Sequence, residues 1–226
     1  GYTSPYENLM LTLLQYKHHP TIEGVFYLHD DALINLTRFT SGMYPFPTDA
    51  IVGTLRDDDP SDGLFTIHVT GGEGGKRPKV SYSKDGNYYY SQETMHAKLR
   101  DPDWWRLKGC LPPLTDMILD PETAHMMYNN NSGSRRPNYS YEIADLGQSD
   151  VLFVPNRFAD AFAHQARPFV GNKVFIECAF PTVIHHMLKE KNLSSQRRSV
   201  KLCTSWEYSW LLYTSEAADD LLFQLP

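Results

Sequence analysis

Residues 24–35 read Gly-Val-Phe-Tyr-Leu-His-Asp-Asp-Ala-Leu-Ile-Asn, and they are the clearest indication of the architecture of this chain. The apolar run over residues 25–28 follows Glu23-Gly24 and predicts a strand inside a sheet. Asp30 and Asp31 come directly after it, at the carboxyl end where open α/β sheets bind ligands. Adjacent carboxylates repel each other, and a divalent cation or solvent relieves the repulsion. The pair therefore predicts either a metal site or a solvated turn.

The remaining sequence alternates predicted helices and strands. A helix is predicted over residues 5–17, and strands are predicted over residues 51–56, 64–69 and 151–154. Residues 80–90 are rich in tyrosine around Asp85-Gly86, which predicts a hairpin. Residues 155–165 have a helical pattern, and residues 173–191 form either one helix interrupted at Pro181 or a strand-like start followed by a helix from Pro181. This order predicts an α/β fold.

Composition excludes two classes of partner. The chain has 226 residues, with 21 Lys and Arg against 27 Asp and Glu, so its formal charge of -6 predicts no general attraction to nucleic acid. The basic clusters, among them Arg197-Arg198, are short and are predicted to be solvated loops, with contact to a phosphate as the alternative. No apolar run approaches the roughly 20 residues that span a bilayer, so no membrane span is expected.

The cysteines and the glycosylation sequons bear on the compartment. Three cysteines are odd in number and widely spaced, which predicts neither a disulfide framework nor a zinc cluster. Sequons of the form Asn-x-Ser/Thr begin at Asn35, Asn130, Asn138 and Asn192 and favour a secretory lumen such as the Golgi, although localisation stays open.

A resemblance makes the acidic pair more specific. The segment over residues 26–31, which ends in His29-Asp30-Asp31, resembles the Asp-x-Asp segment of metal-dependent glycosyltransferases of the GT-A fold. The resemblance implies a GT-A-like, Rossmann-like mixed sheet flanked by helices, with a nucleotide-sugar donor and a Mn²⁺ or Mg²⁺ cofactor. It assigns Asp31 as the principal metal ligand, with Asp30 and His29 assisting at the donor. It also implies that part of the N-terminal nucleotide-binding half is missing, because one predicted helix precedes the motif.

A second stretch resembles the acceptor half of some of these transferases. It comprises residues 149–155 and 173–182, a strand followed by a helix that bears an inward carboxylate. Glu177 is that carboxylate, and its sequence neighbours are apolar. Desolvation would raise its affinity for a proton toward the range useful to a general base. The alternative is a core glutamate paired with an arginine or a backbone amide. Asp145 is a reserve candidate for the base.

Other residues complete the predicted site. The resemblance suggests His185 and His186 as further metal ligands from the C-terminal region, and imidazole suits Mn²⁺ beside carboxylates. The alternative for both histidines is a place on a helix surface. Trp104 and Trp105 are candidates for substrate binding, because aromatic faces pack against apolar sugar faces. Core packing would explain the tryptophans equally well.

Together these features predict a single transferase-like domain over residues 1–226. Residues 1–70 would form the donor and metal side, residues 71–140 a loop-rich insert, and residues 141–226 the acceptor side. The predicted reaction moves a hexose or pentose from a nucleotide sugar to a glycan hydroxyl, with inversion. The alternatives are a non-catalytic glycan- or protein-binding module derived from a transferase, and a metal-dependent phosphohydrolase.

Overall fold

The computed structural model describes eleven ranges of the chain. They are residues 4–29, 51–53, 65–71, 77–84, 86, 88–100, 105–120, 122–123, 138–144, 151–191 and 197–199. The predicted positions Asp30, Asp31, Trp104 and Asp145 lie outside these ranges.

The described elements confirm an α/β protein. The strands are β1 (Gly24–Leu28), β2 (Ile51–Gly53), β3 (Phe65–Thr70), β4 (Lys79–Lys84), β5 (Tyr88–Ser91), β6 (Asn138–Ile143), β7 (Val151–Pro155) and β8 (Arg197–Ser199). The helices are α1 (Pro5–Tyr16), α2 (Gln92–Lys98), α3 (Trp105–Lys108), α4 (Leu111–Leu119), α5 (Ala159–Ala166) and α6 (Ile176–Lys191). Short 3₁₀ turns at Asn156–Phe158 and Arg167–Phe169 flank α5.

The first sheet has the strand order β1-β7-β2-β8. β7 is antiparallel to β1 and β2, whereas β8 is parallel to β2, so the sheet is mixed. All five residues of β7 are buried, which matches its central place and its uniformly apolar sequence. Arg197-Arg198, predicted as a loop, instead extend the sheet through backbone pairing with β2.

The second sheet has the order β5-β4-β3-β6 and is antiparallel throughout. The predicted hairpin is confirmed as β4 and β5, and Gly86 between them has φ of +69°, a value that favours glycine. β3 pairs with β4 along its whole length, so this sheet begins before residue 71, where the loop-rich insert was predicted to start. The described part of that insert contains β4, β5, α2, α3, α4 and the first half of β6.

One hydrophobic core connects the two sheets, and α6 runs through it. Phe180 in the first half of α6 meets Tyr27 of β1, with ring centroids 4.8 Å apart. His186 in its second half stacks on Tyr141 of β6 at 4.5 Å. Of the two alternatives for residues 173–191, the single helix is closer to what is observed, but it begins at Ile176 and continues through Pro181 instead of being interrupted there.

Asn156 fixes the start of β1. Its backbone N–H donates to the Glu23 carbonyl at 2.8 Å, and its side-chain amide donates to the carbonyls of Tyr16 and Ile22. One polar side chain therefore ties the end of α1 and the end of β7 to the segment that leads into β1. The direction in which β1 delivers His29 is set by these contacts.

Candidate active site

β1 carries the predicted metal motif to one end of the first sheet. Tyr27 faces the core against Phe180, and His29, which is half-buried, is the last described residue before Asp30 and Asp31. Because β2 and β8 run in the same direction as β1, the carboxyl ends of all three strands lie at this end of the sheet. The described backbone therefore ends β1, and with it His29, on the side of the sheet where open α/β sheets bind ligands.

Glu177 lies in the first turn of α6, close to the same strand. One of its carboxylate oxygens, Oε2, is buried from solvent. Phe180 is three residues further on and therefore shares its side of the helix. Because Phe180 contacts Tyr27, the turn of α6 that bears Glu177 lies beside the last residues of β1. Two predicted site elements separated by about 150 residues are thus neighbours.

A disulfide holds this end of α6 and corrects the prediction from the cysteine spacing. Cys110 and Cys178 are bonded across 68 residues, with their Cα atoms 5.9 Å apart and both side chains buried. The backbone N–H of Phe175 also donates to the Gly109 carbonyl at 3.1 Å. Sequence spacing carries no signal for such a pair, because only the fold brings the two cysteines together. Glu177 is therefore next to a covalently anchored residue.

His185 and His186 do not share the surroundings of Glu177. In an α-helix nine residues advance about 14 Å and two and a half turns, so Glu177 and His186 point to opposite sides of α6. His186 Nε2 donates to the backbone carbonyl of Glu142 at 2.7 Å, and His185 Nε2 lies 2.9 Å from the Glu142 carboxylate. The two histidines therefore face β6 of the second sheet.

Glu142 is the centre of this second cluster, and the sequence analysis missed it. Its carboxylate accepts from Lys189 Nζ at 2.6 Å in addition to His185. Burial opposes ionisation of the carboxylate, but the hydrogen bonds from Lys189 and His185 outweigh burial and lower the pKa of Glu142 to about 2. The alternation of aromatic or apolar and polar residues over 139–143 is the signal that could have predicted this strand.

The histidine pair keeps one feature of metal ligands. Burial lowers the pKa of His186 to about 4, so the ring is neutral at pH 7. Because a carbonyl only accepts, the ring proton of His186 is on Nε2, and Nδ1 carries the lone pair. A metal-bound histidine usually binds the ion through one ring nitrogen and donates the N–H of the other nitrogen to a carbonyl or carboxylate, as His186 donates its Nε2–H to Glu142. Nevertheless, no three His, Cys, Asp or Glu side chains within the described ranges are grouped to hold a metal ion.

The predicted tryptophan pair is only partly located. Trp105 begins α3, which is followed closely by α4 and the bonded Cys110. The side chain of Trp105 lies outside the described part of the structure. A role for either tryptophan in substrate binding therefore stays a prediction.

Comparison with known proteins adds no family. No protein-family model, no curated protein and no solved structure matches this chain. None of the helices in the described ranges is both long and apolar enough to cross a membrane. The proposed function therefore depends on the residues of the described ranges and on their contacts.

Proposed function

We propose that this chain is a GT-A-like glycosyltransferase, which moves a sugar from a nucleotide-sugar donor to a glycan hydroxyl with the help of a divalent cation. The observation that carries the proposal is the contact between Tyr27 and Phe180, at a centroid distance of 4.8 Å. Through this contact the strand that leads into His29-Asp30-Asp31 adjoins the helical turn that bears Glu177. A donor site and an acceptor base have to be neighbours for direct transfer.

Glu177 serves as the general base in this proposal. Its carboxylate accepts the proton of the acceptor hydroxyl while the acceptor oxygen bonds to the anomeric carbon of the donor sugar. The bond between that carbon and the diphosphate oxygen breaks, and its electron pair leaves with the nucleoside diphosphate. Attack from the side opposite the leaving group inverts the anomeric configuration.

The side chains that follow β1 in the sequence are ligands suited to a hard divalent cation. Carboxylates beside an imidazole, as in His29-Asp30-Asp31, fit Mn²⁺ and Mg²⁺ better than soft metals. A cation held mainly by Asp31 would neutralise the charge of the departing diphosphate. His185 and His186 contact Glu142 on β6, so the proposal gives them no metal role.

The disulfide supports a compartment for this activity. Disulfides persist in secreted and lumenal proteins and are rare in the cytosol. The Cys110–Cys178 bond and the Asn-x-Ser/Thr sequons together favour the lumen of the secretory pathway, where glycans are extended. The bond also restrains the segment next to Glu177, which a positioned base requires.

The test of this function is sugar transfer by Glu177→Gln. With Mn²⁺, a panel of nucleotide sugars and oligosaccharide acceptors, we expect the variant to lose about 100- to 10,000-fold in turnover while its affinity for the donor stays unchanged. Glu190→Gln is the matched control, because Glu190 is an exposed carboxylate on the same helix and bonds Gln165 at 2.8 Å. Near-normal turnover of Glu177→Gln would exclude the base assignment.

A further inference from the structure

The outer face of the second sheet carries a group of four side chains, one from each strand, of which Ser83 is buried and the other three are partly or fully exposed. They are Tyr89 of β5, Ser83 of β4, His68 of β3 and Ser140 of β6, which we call the outer-face platform. Ser83 pairs directly with Tyr89, and His68 pairs directly with Ser140, so the side chains share one face. The core residues of β3 are Phe65, Ile67 and Val69, which alternate with His68 and point the other way.

His68 is locked in the centre of the platform. Its Nδ1 lies 2.9 Å from Ser140 Oγ, and its Nε2 lies 2.8 Å from Ser83 Oγ. Burial lowers the pKa of His68, so the imidazole is neutral at pH 7 and has a single N–H. One serine therefore donates to the ring while the other accepts from it. With both nitrogens engaged, the half-buried ring is held in one orientation.

Tyr89 extends this surface with a second ring. The centroids of His68 and Tyr89 are 5.7 Å apart, and their planes are inclined by 36°. Tyr89 is 70% exposed, the highest value among the exposed large hydrophobic side chains of the described residues. Two adjacent rings, one fixed by hydrogen bonds and the other open to solvent, form a shallow stacking surface beside the exposed Ser140 hydroxyl.

We propose that the outer-face platform binds an uncharged glycan chain by stacking sugar rings on His68 and Tyr89. The chemistry of this face selects the occupant: His68 and Tyr89 offer aromatic faces for the apolar side of a sugar, Ser140 offers a hydroxyl for its polar edge, and the carboxylate of Glu142, two residues from Ser140 on the same face, disfavours an anionic chain. Four strands span about 14 Å, which is the length of a short oligosaccharide.

In the proposed transferase, the platform gives the acceptor glycan a second contact with the protein. This role in transfer rests on the proposed function. The platform's binding of glycan requires neither nucleotide nor cation, because none of its residues belongs to the donor site. It therefore predicts a preference for acceptors long enough to reach both places. The binding step and the transfer step can be tested separately.

Calorimetric titration of the full chain without nucleotide or metal tests the binding step. The probes are the neutral hexasaccharides of cellulose, starch and chitin, with a heparin hexasaccharide as the charged comparison. We expect the full chain to bind at least one neutral probe and the Tyr89→Ala variant to bind it about tenfold more weakly. Tyr89→Phe keeps the ring and should retain affinity. Leu11→Ala, which removes an exposed apolar side chain on α1, should not change affinity.

The opposite results would overturn the platform. They are the absence of binding by any neutral probe, preference for heparin, or an affinity that Tyr89→Ala leaves unchanged while circular dichroism shows an intact fold. Failure of the proposed function has a different signature, since it would appear as absent sugar transfer with Tyr89-dependent glycan binding retained. That combination supports the platform and indicates a non-catalytic glycan-binding module.

Discussion

The Glu142 cluster predicts a specific dependence of stability on pH. The carboxylate of Glu142 connects β6 to α6 through Lys189 and His185, so removing its charge should loosen the contact between the second sheet and the helix that bears Glu177. A pKa lowered from 4.5 to about 2 corresponds to about 3 kcal/mol of stabilisation. The Glu142 side chain is 33% exposed and that of Lys189 is 59% exposed, so solvent screening reduces the expected contribution to about 1.5 kcal/mol.

The direction of the pH effect follows from the lowered pKa. The contribution of Glu142 is fully present above pH 4.5 and is lost as the pH falls toward about 2, because the unfolded chain takes up the proton first. Glu142→Gln should therefore unfold in urea with a free energy about 1.5 kcal/mol lower than that of the unmodified chain at pH 7, and the difference should shrink below pH 4.5.

The comparison between the unmodified chain and Glu142→Gln isolates the contribution of the Glu142 carboxylate to stability. His186 is present in both proteins and its pKa is lowered mainly by burial, so most of its own titration cancels from the difference. Glu190→Gln, on the exposed side of the same helix, should change the unfolding free energy by less than about 0.5 kcal/mol. Equal stability of the unmodified chain and Glu142→Gln at pH 7, or a difference that does not shrink down to pH 3, would refute the assignment.

Three further predictions concern packing, covalent anchoring and acid sensitivity. Gly24→Ala should lower the unfolding free energy by about 1–3 kcal/mol in urea, because a Cβ there would lie 2.6 Å from the carbonyl oxygen of Val154; unchanged stability would contradict this close approach. Reduction of the Cys110–Cys178 bond should cost about 4 kcal/mol for a loop of 68 residues, and non-reducing peptide mapping should recover the linked peptides; two free thiols would contradict the bond. The pKa of His186 is lowered to about 4, so stability should fall as the pH drops from 6.5 to 4, and His186→Phe should flatten that slope; an equally steep slope in the variant would contradict the burial of His186.

The individual elements could be predicted from local sequence because local physics defines them. The helix at residues 5–16 and the strands at residues 24–28 and 151–155 are runs of one periodicity bounded by turn residues. The hairpin around Gly86 is similarly local. For these elements the burial pattern and the intrinsic propensity of the residues indicate the same secondary structure, so tertiary contacts are not needed to decide between helix and strand.

Long-range pairing could not be predicted from the same patterns. β1 pairs with β7 across more than 120 residues, and β7 antiparallel between two strands is not implied by the alternation of helices and strands. Arg197-Arg198 was misassigned as a loop for this reason, since a strand of three residues exists only through its partner β2. The disulfide depends in the same way on the approach of α6 to the start of α4.

The residues of the candidate site also differ in whether local sequence alone identifies them. Glu177 was identified because an acidic residue within an apolar stretch is conspicuous in any sequence. Glu142 and His68 are isolated polar residues in alternating strands, and their importance arises only when α6 or a neighbouring strand supplies a partner. The helical placement of His185 and His186 was foreseen as an alternative, but their common partner was not.

Calorimetry can decide whether the acidic pair after β1 holds a cation for a nucleotide sugar. The measurement is the affinity of the full chain for nucleotide sugars with and without Mn²⁺, compared with Asp31→Ala and with the control Asp160→Asn, whose exposed carboxylate bonds Lys17 at 2.6 Å. We expect Mn²⁺ to strengthen binding to the unmodified chain and to the control, and Asp31→Ala to lose that effect. Nucleotide-sugar binding that is unchanged in Asp31→Ala and insensitive to Mn²⁺ would contradict the assignment.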